Sequence, residues 1–144
     1  MEKNRRELKT LSILILALAA LSFIMAIVNV CVDGFPKVDI ADISPATAKI
    51  VSIITWVLGL VIILPQVYVG VKGIKQANNP TGARAHIVWA LILGILAAIA
   101  TISSIVSIAK AFTTSQLVDL INVAVDAFIF ATYYFYARKV AQGK

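Results

Sequence analysis

Four long apolar segments dominate this chain and limit what it can fold into. They cover residues 11–32, 50–71, 87–109 and 117–137. A helix needs about 20 mostly apolar residues to cross the hydrocarbon core of a bilayer, and each segment reaches that length. A helix also satisfies its own backbone polar groups in lipid. The sequence therefore predicts an all-α, polytopic membrane protein, a four-transmembrane-helix bundle formed by a single integral membrane domain, residues 1–144.

The composition agrees with a lipid environment. Sixty per cent of the residues are apolar and 14% are charged, whereas a soluble domain has about 25% charged residues. The net charge of +6 does not indicate a nucleic-acid partner, because the basic residues flank the apolar segments. That distribution is typical of membrane proteins. The expected partner of these segments is the lipid bilayer, and no nucleic acid is expected.

The sequence lacks the residues that common catalytic and metal sites need. One cysteine, Cys31, excludes an intrachain disulfide and a metal cage built of cysteines. One histidine, His86, cannot form a metal site alone. GxxxxGK, HExxH and CxxC are absent. We therefore expect no enzyme activity, no catalytic residues, no metal and no cofactor.

The first apolar segment follows the basic residues 1–9, in the way that the apolar middle part of a signal peptide follows its basic start. At about 22 residues it is longer than the 7–15 apolar residues of a signal peptide. The small residues Ala17 and Ala19 lie inside the segment and not at its end. We therefore expect a retained transmembrane helix.

The basic residues also predict the orientation of the chain. The positive-inside rule places Lys and Arg in cytoplasmic loops. Ten of them lie in the N-terminus, the second loop and the C-terminus: Lys3, Arg5, Arg6, Lys9, Lys72, Lys75, Arg84, Arg138, Lys139 and Lys144. Three lie in the other two loops: Lys37, Lys49 and Lys110. This excess of basic residues on one side, ten against three, predicts a multi-pass protein of the cell membrane with both termini cytoplasmic.

The fourth segment carries an acid near its centre. Asp126 lies one residue from the midpoint of residues 117–137, where an ionised carboxylate costs roughly 2.5–3.5 kcal/mol. No Lys, Arg or His lies inside any segment to serve as its counter-ion. One interpretation is a proton or cation site. The other is a neutral carboxyl group that joins helices or subunits.

Polar and small residues share one face of each predicted helix when the segments are projected at 100° per residue. Close packing of small residues and hydrogen bonds hold helices together in lipid, so we expect these faces to meet. Most of the polar residues on these faces lie in the outer half of the membrane-spanning segments. This predicts a polar vestibule that opens outward and ends near Asp126. The candidate intramembrane polar site is Asp126, Asn122, Asp119, Gln66, Thr55, Thr101, Ser104 and Asn29. The same faces carry Ser22, Ala26, Gly59, Gly70, Gly73, Ala90, Gly94, Ala97 and Tyr133.

Pro65 lies inside the second segment. Proline removes one backbone hydrogen bond and frees the carbonyl of Val61, so a kink is expected. Pro65 is therefore a candidate hinge for alternating access. The alternative is a static kink.

Two further predictions concern segment ends. His86 precedes the third segment and is interpreted as a residue of the membrane interface, with a catalytic or pH-sensing role as the alternative. Thr114 or Ser115 is the expected N-cap of the fourth helix.

A short motif resembles the PQ-loop of SemiSWEET-type sugar transporters. Leu64-Pro65-Gln66 is followed by a basic helix end, and Ile121-Asn122-Val123 with Tyr133-Tyr134 is similar to the asparagine-bearing third helix of that family. The resemblance covers residues 50–140. It implies that Pro65 and Gln66 form a hinge and that Asn122 contacts substrate. That family has three helices, whereas this chain has a fourth in front, and Asp126 is not part of its pattern.

The small size, short loops and small-residue faces favour a non-enzymatic function. We expect an accessory, regulatory or immunity-type subunit that acts through helix–helix association, as a homo-oligomer or with a partner membrane protein. The alternative is an oligomeric small-solute or ion transporter or channel that uses the polar vestibule ending at Asp126.

Overall fold

The described part of the chain is helical throughout its apolar segments. The computed structural model describes residues 1–37, 43–80, 84–110 and 112–143. These residues form the helices α1 (Glu2–Asp33), α2 (Pro45–Asn78), α3 (Ala85–Lys110) and α4 (Thr114–Ala141). Each is long and apolar enough to cross a membrane. The predicted all-α architecture of four helices able to span a membrane is therefore confirmed.

The start of α4 differs by one residue from the prediction. Thr113 is the N-cap, with extended backbone, and its hydroxyl accepts from the Gln116 amide at 3.3 Å. The Gln116 side-chain oxygen accepts from the Thr113 amide at 3.2 Å. This reciprocal capping box satisfies two backbone donors at once. The prediction of Thr114 or Ser115 was wrong because only an N-cap at Thr113 places Gln116 three residues on, where the capping box needs it.

The helices pair as two hairpins, α1 with α2 and α3 with α4, and smaller interfaces join α1 to α4 and α2 to α3. In each hairpin an arginine at the start of one helix caps the end of the other. Arg5 donates to the carbonyls of Ala77 and Asn78 at 2.6 and 2.9 Å, and Arg84 donates to that of Ala141 at 2.9 Å. Such terminal carbonyls have no partner within their own helix. Both chain termini therefore lie at one end of the bundle, here called the base.

The buried apolar core lies in the half of the bundle next to the base. Its members are Leu8, Ile15, Val69, Ala77, Ile87, Ala90, Leu93, Ile129, Phe130, Tyr133, Ala137 and Val140. Farther from the base, large apolar residues such as Ile99, Ile102 and Phe128 are exposed. In a bilayer such side chains contact lipid tails without cost. The buried apolar side chains are thus concentrated near the base.

Pro65 does not end its helix. The helix α2 continues from Pro45 to Asn78 with Pro65 inside it. The hinge assigned to Pro65 stays a prediction.

Candidate functional site

Tyr133 connects three helices in the core. Its side chain is fully buried on α4, and its hydroxyl donates to the carbonyl of Val69 on α2 at 2.9 Å. The hydroxyl of Ser12 on α1 lies beside it and donates to the Leu8 carbonyl at 2.7 Å. Both hydroxyls occupy the space that a side chain on Gly73 would need. Glycine is therefore required at this position for α2 to approach α1 and α4.

Gln76 connects α2 to the other hairpin. Its Nε2 donates to the Ala137 carbonyl at 3.0 Å, and its Oε1 lies 2.6 Å from Nε2 of His86. Because a backbone carbonyl only accepts, the Gln76 amino group must point towards Ala137. An amide oxygen also only accepts, so His86 donates from Nε2. The histidine therefore carries its proton on Nε2, and its ring contacts that of Tyr133 edge to face at 6.3 Å.

The side chain of His86 lies inside the bundle and not at its surface. It is 1% exposed, whereas we expected a residue of the membrane interface. The third apolar segment begins one residue after His86, so hydropathy leaves the histidine outside it. His86 nevertheless lies on the same helix face as Ala90 and Leu93, which are both buried. That four- and seven-residue spacing was the available signal.

These contacts form a base network that includes all four helices. We use this name for Ser12 on α1, Gly73 and Gln76 on α2, His86 on α3 and Tyr133 on α4. Hydrogen bonds from Tyr133, Gln76 and His86 each cross between the hairpins. The base network therefore holds the two hairpins together at the base.

The acid of α4 lies on the same helix face as Tyr133. Asp126 precedes Tyr133 by seven residues, which is two turns with a rotation of about 20°. Asn122 precedes it by eleven, with a rotation of about 20° in the opposite sense. The face that Tyr133 presents to the base network therefore continues towards the far end of α4 through these two polar residues.

The same relationship holds on α2 and α3. Thr55 precedes Gly73 by eighteen residues, and Ser104 follows His86 by eighteen, which is five full turns in both cases. Thr101 lies within about 60° of His86 on α3. The polar residues predicted from the sequence thus extend the helix faces that meet at the base.

Beyond the base these faces are not fully covered. Thr55, Asn122 and Asp119 are exposed, whereas Asp126, Gln66, Thr101 and Ser104 are half-buried. A side chain built on Gly59 would meet nothing within 4 Å. We use the name interhairpin cleft for the part of these faces that carries Thr55 and Gln66 on α2, Thr101 on α3, and Asn122 and Asp126 on α4. The assignment of these residues to a functional site stays a prediction.

Two of the candidate residues line a small polar cavity between α3 and α4. Ser104 and Asp119 face it together with Ser103, Ser107 and Gln116, and its volume is about 190 Å³. The structure therefore brings this hydroxyl and this carboxylate together at the end of the bundle opposite the base.

Asn29 lies apart from the other candidates. It lines a cavity of about 680 Å³ in the α1–α2 hairpin, next to Asp33 and Trp56. Trp56 donates from Nε1 to the Ala26 carbonyl at 3.2 Å and contacts the ring of Phe35 at 5.8 Å. Asn29 follows Ser12 by seventeen residues, a rotation of about 100° away from the interior face.

No protein-family model, curated protein or solved structure matches this chain. Among the described residues, no three His, Cys, Asp or Glu side chains are grouped to hold a metal ion. The four apolar helices are compatible with a small multi-pass membrane protein.

Proposed function

We propose that this chain is a multi-pass protein of the cell membrane with both termini in the cytoplasm. The four apolar helices support insertion. The positive-inside rule supports the orientation, because ten of the thirteen basic residues belong to the two terminal segments and the second loop of the sequence. With the base in the cytoplasm, the interhairpin cleft opens to the outside.

Within that class, we propose that the protein binds a small polar solute or cation in the interhairpin cleft, as a transporter or channel does. One observation carries this proposal. The hairpins are joined by buried hydrogen bonds at the base, while the polar faces beyond it stay accessible. Polar residues at membrane depth that face a water-filled cavity typically mark a solute or ion pathway.

Asp126 is the proposed end of this pathway. It lies about 10 Å along α4 from Tyr133, so a solute that reached it would be stopped by the base network. Its carboxylate would bind the cation, and Asn122 and Thr101 would supply neutral oxygen atoms. Hard cations prefer such oxygen ligands.

Release into the cytoplasm requires the base network to open. The bonds of Tyr133 and Gln76 would break, and Pro65 lies on α2 between the cleft and the base as a hinge. A chain of 144 residues encloses little pathway by itself, so we propose that a dimer or larger oligomer is the working unit.

Flux through proteoliposomes tests this proposal. Purified protein should support solute- or pH-dependent flux that Asp126→Asn abolishes without changing the oligomer size. The matched control is Asp33→Asn, which removes an exposed acid at the end of α1, outside the candidate polar site, and should retain most of the flux. Absence of flux for every ion and sugar tested, or equal flux through Asp126→Asn, would contradict the proposal.

A second candidate is an accessory, regulatory or immunity-type subunit that associates through its helices. The open space at Gly59 favours it, because Thr55 and Gly59 are exposed one turn apart on α2 and small residues let a partner helix approach closely. Here a partner helix occupies the cleft. A stable partner recovered in mild detergent, lost in Gly59→Leu and kept in Ile62→Leu, together with no flux, would support this candidate.

A further inference from the structure

We propose that the α1–α2 hairpin binds one anionic phospholipid, with the headgroup at the base and an acyl chain in an apolar groove deeper in the membrane. This inference rests on the proposed membrane insertion and orientation. It does not depend on transport. On α2 it concerns the helix face that points away from Gly73 and Gln76.

The headgroup site is a basic cavity where α1 begins and α2 ends. Its volume is about 590 Å³, and its lining is Met1, Glu2, Arg5, Arg6, Lys9, Ala77 and Asn78. Three basic side chains and one acidic side chain give it a net positive charge. Basic pockets between transmembrane helices on the cytoplasmic side bind anionic headgroups.

Arg5 is held in place before any ligand arrives. Its Nε and one Nη donate to the carbonyls of Ala77 and Asn78, and a guanidinium has five N–H groups. The remaining N–H groups are therefore available in a fixed orientation. Arg6 and Lys9 are exposed and can reach the same phosphate without breaking a core contact.

The acyl-chain site is a groove with an entirely apolar lining. Its volume is about 540 Å³, and its lining is Leu16, Ala19, Ala20, Phe23, Val57, Leu60, Val61, Ile63, Leu64 and Val67. The two alanines provide room for a chain between the larger side chains of α1 and α2. A groove of this composition offers an acyl chain apolar contacts only.

The two cavities lie on the same side of α1. Arg5, Lys9, Leu16 and Phe23 fall within about 40° when projected on the helix. Leu16 lies seven residues beyond Lys9, which is about 10 Å along the axis. The headgroup layer of a bilayer is about 5–8 Å thick on each side. A phosphate at Lys9 therefore places the first part of its acyl chain at the groove.

The two cavities also lie on the same side of α2. Asn78, Leu64 and Leu60 fall within about 40° on one face, while Gly73 and Gln76 lie about 140–160° away. The lipid site and the base network thus lie on opposite sides of α2. A free phosphate would use the basic cavity alone, whereas an anionic phospholipid uses both cavities, and this is why we assign the site to a lipid.

Lipid retention by the purified full-length protein, measured by native mass spectrometry, tests the site. We compare phosphatidylglycerol with phosphatidylcholine of identical acyl chains, and add glycerol 3-phosphate as a competitor. The charge variant is Arg6→Gln with Lys9→Gln. Its matched control, Lys72→Gln with Lys75→Gln, removes two charges at the base outside the cavity. Ala20→Phe fills the groove at an exposed position.

The proposal expects preferential retention of phosphatidylglycerol, weakened about thirtyfold in the charge variant and unchanged in its control. Ala20→Phe should weaken retention of both lipids, and glycerol 3-phosphate should not compete. Equal retention of the two lipids, equal effects of the two double variants, or full competition by glycerol 3-phosphate would overturn it. Fractionation of cells tests insertion separately: a chain in the soluble fraction refutes the membrane proposal, whereas an inserted chain with equal retention refutes only the lipid site.

Discussion

The hydroxyl of Tyr133 donates to the carbonyl oxygen of Val69 at 2.9 Å and so joins two helices from different hairpins. A carbonyl oxygen has two lone pairs and accepts this bond in addition to its helical one. Tyr133 is fully buried, so no water replaces the bond. The pairing fixes the distance between the hairpins at the base.

Removal of this hydroxyl should loosen the base while keeping the ring in place. Tyr133→Phe is expected to lower the free energy of unfolding by about 1 kcal/mol, a typical value for one buried hydrogen bond. Thermal unfolding in detergent measures it, with Tyr134→Phe, a half-buried tyrosine, as the control. Equal effects of the two variants would show that the bond does not stabilise the bundle.

Two glycines of the same helix should respond in opposite ways to alanine. Gly73→Ala places a methyl group on the hydroxyls of Ser12 and Tyr133 and should destabilise by about 1–3 kcal/mol through overpacking. Gly59→Ala meets nothing within 4 Å and should be neutral or stabilising by up to about 1 kcal/mol, since alanine is the better helix former. The same unfolding measurement compares them. A larger loss at Gly59 would contradict the packing of α2.

The hydrogen bonds of Gln76 determine which ring nitrogen of His86 carries the proton. We expect the neutral ring to carry it on Nε2, as the donor to Gln76 Oε1, and nitrogen NMR of the labelled ring distinguishes the two tautomers. A double-mutant cycle of Gln76→Leu and His86→Phe should give a coupling energy of about 1–2 kcal/mol. A proton on Nδ1 or a coupling energy near zero would contradict the arrangement.

The proposed orientation predicts which loops are labelled from outside. The single cysteine, Cys31, is exposed, so a Cys31→Ser background is used. A membrane-impermeant maleimide should label Lys37→Cys in intact cells and Asn79→Cys only after permeabilisation. The reverse pattern would place the base outside and refute the orientation.

The sequence predicted the helices well because apolar length alone decides whether a segment can span a bilayer. It did not reveal Gln76 and His86 as core residues. Both lie just outside the apolar segments 50–71 and 87–109, where a hydropathy criterion assigns polar side chains to the interface. The burial of Gln76 and His86 follows from the hydrogen bonds that their side chains form across the bundle, and hydropathy contains no information about these bonds.

Helix periodicity predicted the helix faces on which two residues of the base network lie. Tyr133 and Gly73 lie on the predicted faces and meet in the core. Asn122 and Thr55 lie on the same faces but are exposed. Periodicity identifies which side of a helix is polar, but the distance between two helices depends on packing along their whole length. Which residues of these faces are buried was therefore not predictable from the sequence.

Thiol reactivity at adjacent positions of α4 tests whether the interhairpin cleft is open to water. In the Cys31→Ser background, Asn122→Cys would lie in the cleft, whereas Ile121→Cys would face lipid about 100° away at the same depth. A thiol reacts as its thiolate, which forms in water and not in lipid. A membrane-impermeant thiol reagent added from outside should modify Asn122→Cys at least about tenfold faster. Equal rates at the two positions would contradict the cleft.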